Sequence, residues 1–279
     1  MQKRTPRILL LFLLIMKKFM AVVEYDGTNY HGWQLQKDLP TIQGSIEAAL
    51  GRILKVPTRV HGAGRTDAGV HAVSQVAHFS ADWAHSLAEL RTGCNALLPA
   101  DIVVRYLDRA ADDFHARHSA RSKTYQYQVL NVPLRSPVQR LYAWHIPYQL
   151  EVSLMNVAAS YLIGSHDFAA FGSATDGTPS TIREVLEARW DIAVNEGITR
   201  FSIRATGFLR YMVRSIVGTI IMVGKGKITP KEFRDILVSC DRSRSGPTGP
   251  PHGLCLVSVD YDDFLICNGN FTTMTTSKT

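Results

Sequence analysis

The chain has 279 residues, of which 46% are hydrophobic and 20% charged. That balance excludes a disordered or low-complexity polypeptide and leaves enough chain for one large domain or two smaller ones, with a sizeable core. The net charge of +7 is compatible with a nucleic-acid partner without demanding one. Four cysteines, Cys94, Cys240, Cys255 and Cys267, have neither zinc-knuckle nor redox spacing, and the ten histidines show no paired metal spacing. Free thiols in a reducing cytoplasm and no metal are the expectation.

The chain opens with basic residues and an apolar run at residues 8–16. The run is too short to span a membrane as a helix. Lys17 and Lys18 follow it, where a secretory signal would have a small-residue cleavage site. Residues 1–17 are therefore expected to be an extension outside the fold, with Met16 and Met20 as alternative starts.

"FMAVVEY" then reads as a strand. "TIQGSIEAALGRIL" puts Ile42, Ile46, Ala49, Leu50 and Ile53 on one helical face. "SQVAHFSA" is strand-like. "SLAELRTGCNALL" begins with Ser86 and has Glu89 three residues later, a capping box. In "KTYQYQVL", Tyr125, Tyr127 and Val129 share a face opposite Thr124, Gln126 and Gln128. A boundary is expected within residues 131–140, which are rich in Pro and Arg.

In "LEARWDIAV", Leu186, Ala188, Trp190, Ile192 and Val194 alternate with Glu187, Arg189 and Asp191. Phe201, Ile203 and Ala205 alternate in "RFSIRATG". "GFLRYMVRSIVGTIIMVG", residues 207–224, is apolar and long enough for a helix. "TPKEFRDILVSC" repeats the capping-box device with Thr229, Pro230 and Glu232. "GLCLVSVDY" is the last predicted strand, and residues 264–279 are expected to be a polar, frayed tail. Helices between mostly antiparallel strands imply an α+β fold.

"GAGRTDAGVHA", residues 62–72, holds the densest chemistry. It fails as a dinucleotide fingerprint, because Asp67 stands where the third glycine belongs. It fails as a P-loop, because Val70-His71 replaces Lys-Ser/Thr. The bland reading is a tight turn in which Asp67 bonds nearby backbone N–H groups. Arg210 and Arg214 lie four apart in the apolar segment and so on one side of a helix. A guanidinium with apolar neighbours needs a carboxylate or phosphate partner unless it snorkels to the surface, which is easier for Arg210 than for Arg214. Tyr125 follows a basic run, Arg117, His118, Arg121 and Lys123, a combination that suits base stacking and phosphate contact. The alternative is that Tyr125 and Tyr127 are core residues.

Taken together, "EYDGTNYHGWQ", "GAGRTDAGVHA", "NALLPADI", "FHARHSARSKTYQYQV", "GSHDFAAF", "GFLRYMVRSIVG" and "GPPHGLCLVSVDY" resemble the TruA-type tRNA pseudouridine synthases, in order, over residues 18–262. The departures are peripheral, before Met16 and after Asp263. The resemblance implies isomerisation of uridine to pseudouridine at tRNA positions 38, 39 and 40, in the anticodon stem-loop, without metal or cofactor. It implies Asp67 as the catalytic carboxylate, attacking ribose or base C6 or acting as a base at the sugar. Arg214 would pair with Asp67, and Tyr125 would contact the flipped base or a catalytic proton. Arg65 would help extrude the uridine, with Lys123 and Arg210 also on the RNA. The implied architecture is two similar halves, residues 18–131 and 132–263, whose sheets join with helices on one side and the active cleft between them. A cytoplasmic homodimer with one tRNA across both subunits completes the expectation. The runner-up is a tRNA-binding or RNA-chaperone protein that kept the fold without the chemistry.

Overall fold

The computed structural model describes residues 16–174, 180–193 and 197–273. Its strands join into one mixed sheet. At one end, β1 (Lys17–Tyr25) lies between β4 (Ile102–Arg109) and β3 (His71–Ala81), antiparallel to both. The late strand β10 (Leu254–Asp260) then pairs with β3 in parallel, through Cys255 and Leu256. Beyond it come β5 (Ser122–Leu130), β9 (Ile198–Ala205), β8 (Ile182–Ala193) and β7 (Gly164–Asp167), each antiparallel to its neighbour. Two short strands sit beside this path, β2 (His61–Gly62) on β3 and β6 (Trp144–His145) on β5. The class is the expected α+β. β10 sits between β3 and β5, so a late segment of the chain meets strands from its first half at the centre of the sheet.

Five helices are described. α1 (Ile42–Leu54) starts at Thr41, whose hydroxyl accepts from the Gly44 N–H, and stops where Lys55 turns left-handed. α2 (Leu87–Leu97) and α5 (Pro230–Ser239) begin with the two capping boxes read from the sequence, and each satisfies otherwise orphaned N–H groups. Ile46 and Leu50 of α1 and Cys94 of α2 meet Ala21, Val23, Ala77 and Phe79 around a small apolar void. Alternate residues of β1 and β3 thus form the floor of this core. Towards the other end of the strand order, α3 (Val152–Ser160) is tied to β8 by Asn156, whose side chain donates to the Trp190 carbonyl and accepts from the Trp190 N–H.

α4 (Met212–Gly224) is buried on almost every side, with Ile216, Val217 and Ile220 fully enclosed. A helix apolar all round belongs inside a protein. Its Gly218 admits residues 246–250 directly onto the helix, since a Cβ there would overlap the Pro247 carbonyl oxygen. No helix among the described residues is long and apolar enough to cross a membrane.

The structure corrects the sequence reading in four places. The helix read from residue 207 begins at Met212, because Tyr211 adopts φ of 65° and ends any continuous turn before it. The β8 alternation slips at a bulge between Val185 and Glu187, so Val185 is buried and Leu186 faces outwards, while Ala188 and Trp190 keep the expected inward face and Ile192, in phase with them near the strand end, is exposed. Val194 lies outside the described residues. The expected polar tail instead begins with β11 (Phe264–Cys267) and β12 (Asn270–Thr273), which pair with each other and extend from β10. The cause is local apolar pattern, for Ile266 is buried and the Phe264 and Phe271 rings lie 5.1 Å apart. Periodicity also does not single out α3, where Leu154 and Val157 face outwards and blur the stripe. Residues 274–279, and the leading segment except Met16 and Lys17, lie outside the described residues.

Candidate active site

The segment "GAGRTDAG" fills the loop between β2 and β3. A strand follows it rather than a helix N-terminus, so it lacks the donor cluster of a phosphate loop. The loop is held against the early segment "DGTNYHGW". Trp33 N–H donates to the Thr66 carbonyl at 3.1 Å, and Gly69 N–H to the Tyr30 carbonyl at 3.2 Å. Glycine is required where these backbones touch: a Cβ on Gly32, which has φ of +87°, would overlap the Thr66 carbonyl oxygen. Two side chains grip the loop from below. Gln75 donates to the Gly64 carbonyl at 2.8 Å, and the Tyr25 hydroxyl lies 2.8 Å from the Thr66 hydroxyl.

Asp67 is held at one further point. Arg214, in the first turn of α4, donates through Nη1 to Asp67 Oδ2 at 3.0 Å. Among the described residues, no turn amide donates to this carboxylate, so the bland reading of Asp67 as a self-bonded turn former does not describe it. Arg214 Nε donates to the Gly249 carbonyl at 2.9 Å, and Gly249 N–H returns a 2.9 Å bond to the Arg214 carbonyl. A cation in the first turn of a helix opposes the helix dipole, and the Asp67 anion at the same end offsets that cost. Asp67 remains 22% exposed and Arg214 13%, so the pair is shielded yet open to a ligand on one side.

Tyr125 stands beside the loop. Its ring meets Phe208 edge-on at 5.0 Å, and its hydroxyl faces Gly64 closely enough that a Cβ there would lie 3.8 Å away. Burial raises its phenol well above the ordinary value, helped by Tyr25 and the Asp67 charge. Tyr125 therefore presents an O–H and not a phenolate throughout the neutral range. Lys123, two residues earlier on β5, is only 8% exposed. Burial, followed by the Arg117 charge, pushes its ammonium down to about 8. Tyr127, the next inward tyrosine of the same strand, is core: it is fully buried and donates to the Pro250 carbonyl at 2.7 Å.

Arg65 is exposed on the loop itself. Arg210 precedes α4 and does not share a helical face with Arg214, which corrects the four-residue spacing argument. Both arginines instead flank Tyr211, with guanidinium carbons 4.7 Å and 5.3 Å from its ring centre. Asp67, Arg65, Lys123, Tyr125, Arg210 and Arg214 all line one open groove. Sequence reasoning missed Tyr211, Phe208, Tyr25 and Gln75. The last two sit in ordinary strand patterns, and a left-handed Tyr211 has no sequence signal at all. The assembled site offers an oriented carboxylate, a buried hydroxyl and a cationic wall, which suits a polyanion carrying an electrophilic carbon.

The sequence profile described as tRNA pseudouridine synthase matches residues 21–119 and 158–262. A protein named tRNA pseudouridine synthase A from Thermoanaerobacter sp. (strain X514) is 46% identical over 246 residues, covering 88% of this chain and 100% of that one. Proteins of the same name from Geotalea uraniireducens (strain Rf4) and Geobacter sulfurreducens (strain ATCC 51573 / DSM 12127 / PCA) are each 43% identical over the same shares. A solved structure, a dye-decolorizing protein from V. cholerae, aligns over 92% of this chain and 96% of that one at 10% identity, with a TM-score of only 0.19. With the profile spanning most of the chain and relatives matched over their full length, this chain belongs to the tRNA pseudouridine synthase family.

Proposed function

We propose that the chain isomerises uridine to pseudouridine in the anticodon stem-loop of tRNA, at positions 38, 39 and 40, with Asp67 as the catalytic carboxylate. One observation carries the reading: an aspartate in a groove, aimed by an arginine that is itself anchored to backbone. The reaction breaks the N1–C1′ bond, turns the uracil and forms a C5–C1′ bond. The proton leaving C5 is balanced by one gained at N1, so atoms and charge are conserved and no oxidant or group donor is consumed. A carboxylate serves as nucleophile at C1′ or C6, or as base at the sugar. Arg214 keeps Asp67 pointed into the groove. Tyr125, protonated, contacts the flipped base.

The uridine must leave the helical stack before its sugar carbon is reachable. Arg65, exposed at the loop tip, fills the space it vacates. The small residues around Asp67 let the RNA backbone approach. Lys123 and Arg210 take phosphates, joined by Arg183 of β8 and by Arg117, whose charge is felt at both Lys123 and Arg183. The two profile matches support a chain of two similar halves, 18–131 and 132–263, with the groove as the cleft between them. The enzyme works in the cytoplasm as a homodimer. The test is to incubate the protein with unmodified tRNA transcripts, without cofactors, and to map pseudouridine. Product at positions 38 to 40 is expected, and absence of product in folded protein refutes the proposal.

A further inference from the structure

We infer that four histidines beside the catalytic loop form a stacking platform for an unpaired nucleobase next to the reacting uridine. The inference rests on the reading of the groove as an RNA site. His61 lies on β2, which runs directly into the Asp67 loop; His78 lies on β3; His115 and His118 lie in the turn before β5. Three separate segments thus bring their imidazoles into one contiguous cluster. His61 and His78 lie nearly parallel, with centres 5.0 Å apart and planes at 21°. His115 meets His78 edge-on at 4.5 Å and lies tilted against His118, at 48° and 4.2 Å.

The arrangement is graded from inside to outside. His78 is buried, whereas His61 and His118 are exposed. His61, His115 and His118 line the same groove as Asp67. A purely structural cluster would have its faces covered, and here the outer rings open onto the groove. Backbone amides set the inner rings. His78 Nδ1 accepts from Ala116 N–H at 3.1 Å, and His115 Nδ1 accepts from the N–H groups of Arg117 and His118 at 3.2 and 3.3 Å. These bonds occupy a lone pair on each ring and put the proton of the neutral ring on Nε2, so neither nitrogen is a ready metal ligand. Among the described residues, no group of His, Cys, Asp or Glu has the arrangement to hold a metal ion.

Burial, reinforced by the neighbouring histidines and Lys18, lowers His78 to about 4, and the same causes lower His115. The inner rings therefore stay neutral near pH 7 and add no charge beneath the exposed rings of His61 and His118. Arg59, which also pairs with Glu47 at 3.3 Å, and Arg117 line the groove and add positive charge for the phosphates on either side of a stacked base. Stacking on aromatic faces beside a cationic track is how unpaired bases are held without sequence reading. An anticodon loop offers such bases close to a target in its stem.

The test uses full-length protein and tRNA transcripts carrying single abasic nucleotides near the target, with affinity measured at fixed salt. One abasic position is expected to weaken wild-type binding about tenfold, the scale of one base stacked on an aromatic side chain. The double variant His61→Ala/His118→Ala should lose about tenfold on intact tRNA and become insensitive to that lesion, with its turnover defect carried by KM. His61→Phe/His118→Phe keeps the aromatic faces and should bind within about threefold of wild type. Both positions are exposed, so a thermal melt should confirm that the variants fold. Affinity of the alanine double variant within twofold of wild type, or an abasic effect that persists in it, overturns the platform. Failure of wild-type protein to make pseudouridine would refute the proposed function separately, because the platform is read by affinity.

Discussion

Replacing Asp67 by asparagine separates the chemistry from the scaffold. The two side chains are nearly isosteric, and asparagine Oδ1 still accepts from Arg214, so the 3.0 Å contact and the loop bonds to Trp33, Tyr30 and Gln75 remain available. What is lost is the charge on the acceptor. For a pair 22% and 13% exposed, exchanging the ion pair for a bond from the same guanidinium to a neutral acceptor costs about 1–2 kcal/mol. In a chain of 279 residues that lowers Tm by roughly 2–3 °C. The catalytic effect is far larger, because an amide is neither a useful nucleophile nor a base. Loss of an attacking group lowers turnover by about 10⁴-fold or more. Affinity for tRNA should persist, since phosphate contacts supply most of it and the groove loses one negative charge. The assay is single-turnover pseudouridine mapping with excess enzyme, beside a binding titration at fixed salt and a thermal melt. Product formed by folded Asp67→Asn at more than about a hundredth of the wild-type rate would refute the role given to Asp67.

Arg214→Lys and Arg214→Leu should both be severely impaired, with leucine the worse, because the guanidinium fork holds Asp67 and the Gly249 carbonyl at once and an ammonium cannot match that geometry. Near-normal turnover in Arg214→Leu would show that this pairing does not aim Asp67. Lys123 gives a pH signature. Its folded value of about 8 lies below the usual 10.5, so the folded protein releases this proton first as pH rises. The sign follows: Lys123 disfavours folding below pH 8, that penalty is relieved between 8 and 10.5, and tRNA affinity falls as pH passes 8. Lys123→Arg should flatten the affinity profile between pH 7 and 9, and an unchanged slope would place the titration elsewhere. Gly218→Ala should destabilise by about 2–3 kcal/mol, seen as a lowered denaturation midpoint, because its methyl group overlaps the Pro247 carbonyl oxygen. It should also slow turnover, since Gly249 in the same segment anchors Arg214. An unchanged midpoint would mean that residues 246–250 yield freely.

What the sequence alone determined was set by near neighbours. Ser86 and Glu89, and Thr229 and Glu232, are three residues apart, so their capping boxes form wherever the helix begins. The alternation of Tyr125, Tyr127 and Val129 is likewise a property of one strand. The failed phosphate-loop templates left Asp67 without a phosphate-binding role, and an apolar segment left Arg214 in need of a partner. That they meet was decided by tertiary structure. They lie 147 positions apart and come together because β10 joins β3 to β5 while α4 and residues 246–250 lock against each other. Tyr211 belongs to the same category. Its φ of 65° is unfavourable for a tyrosine by local preference, and the surrounding contacts hold it there, which moved Arg210 off the helix. The bulge in β8 shifted the inward face by one residue, a choice made by cross-strand pairing that no periodicity encodes. Short-range physics wrote the elements, and the contacts between distant elements made a groove out of six residues that are scattered along the chain.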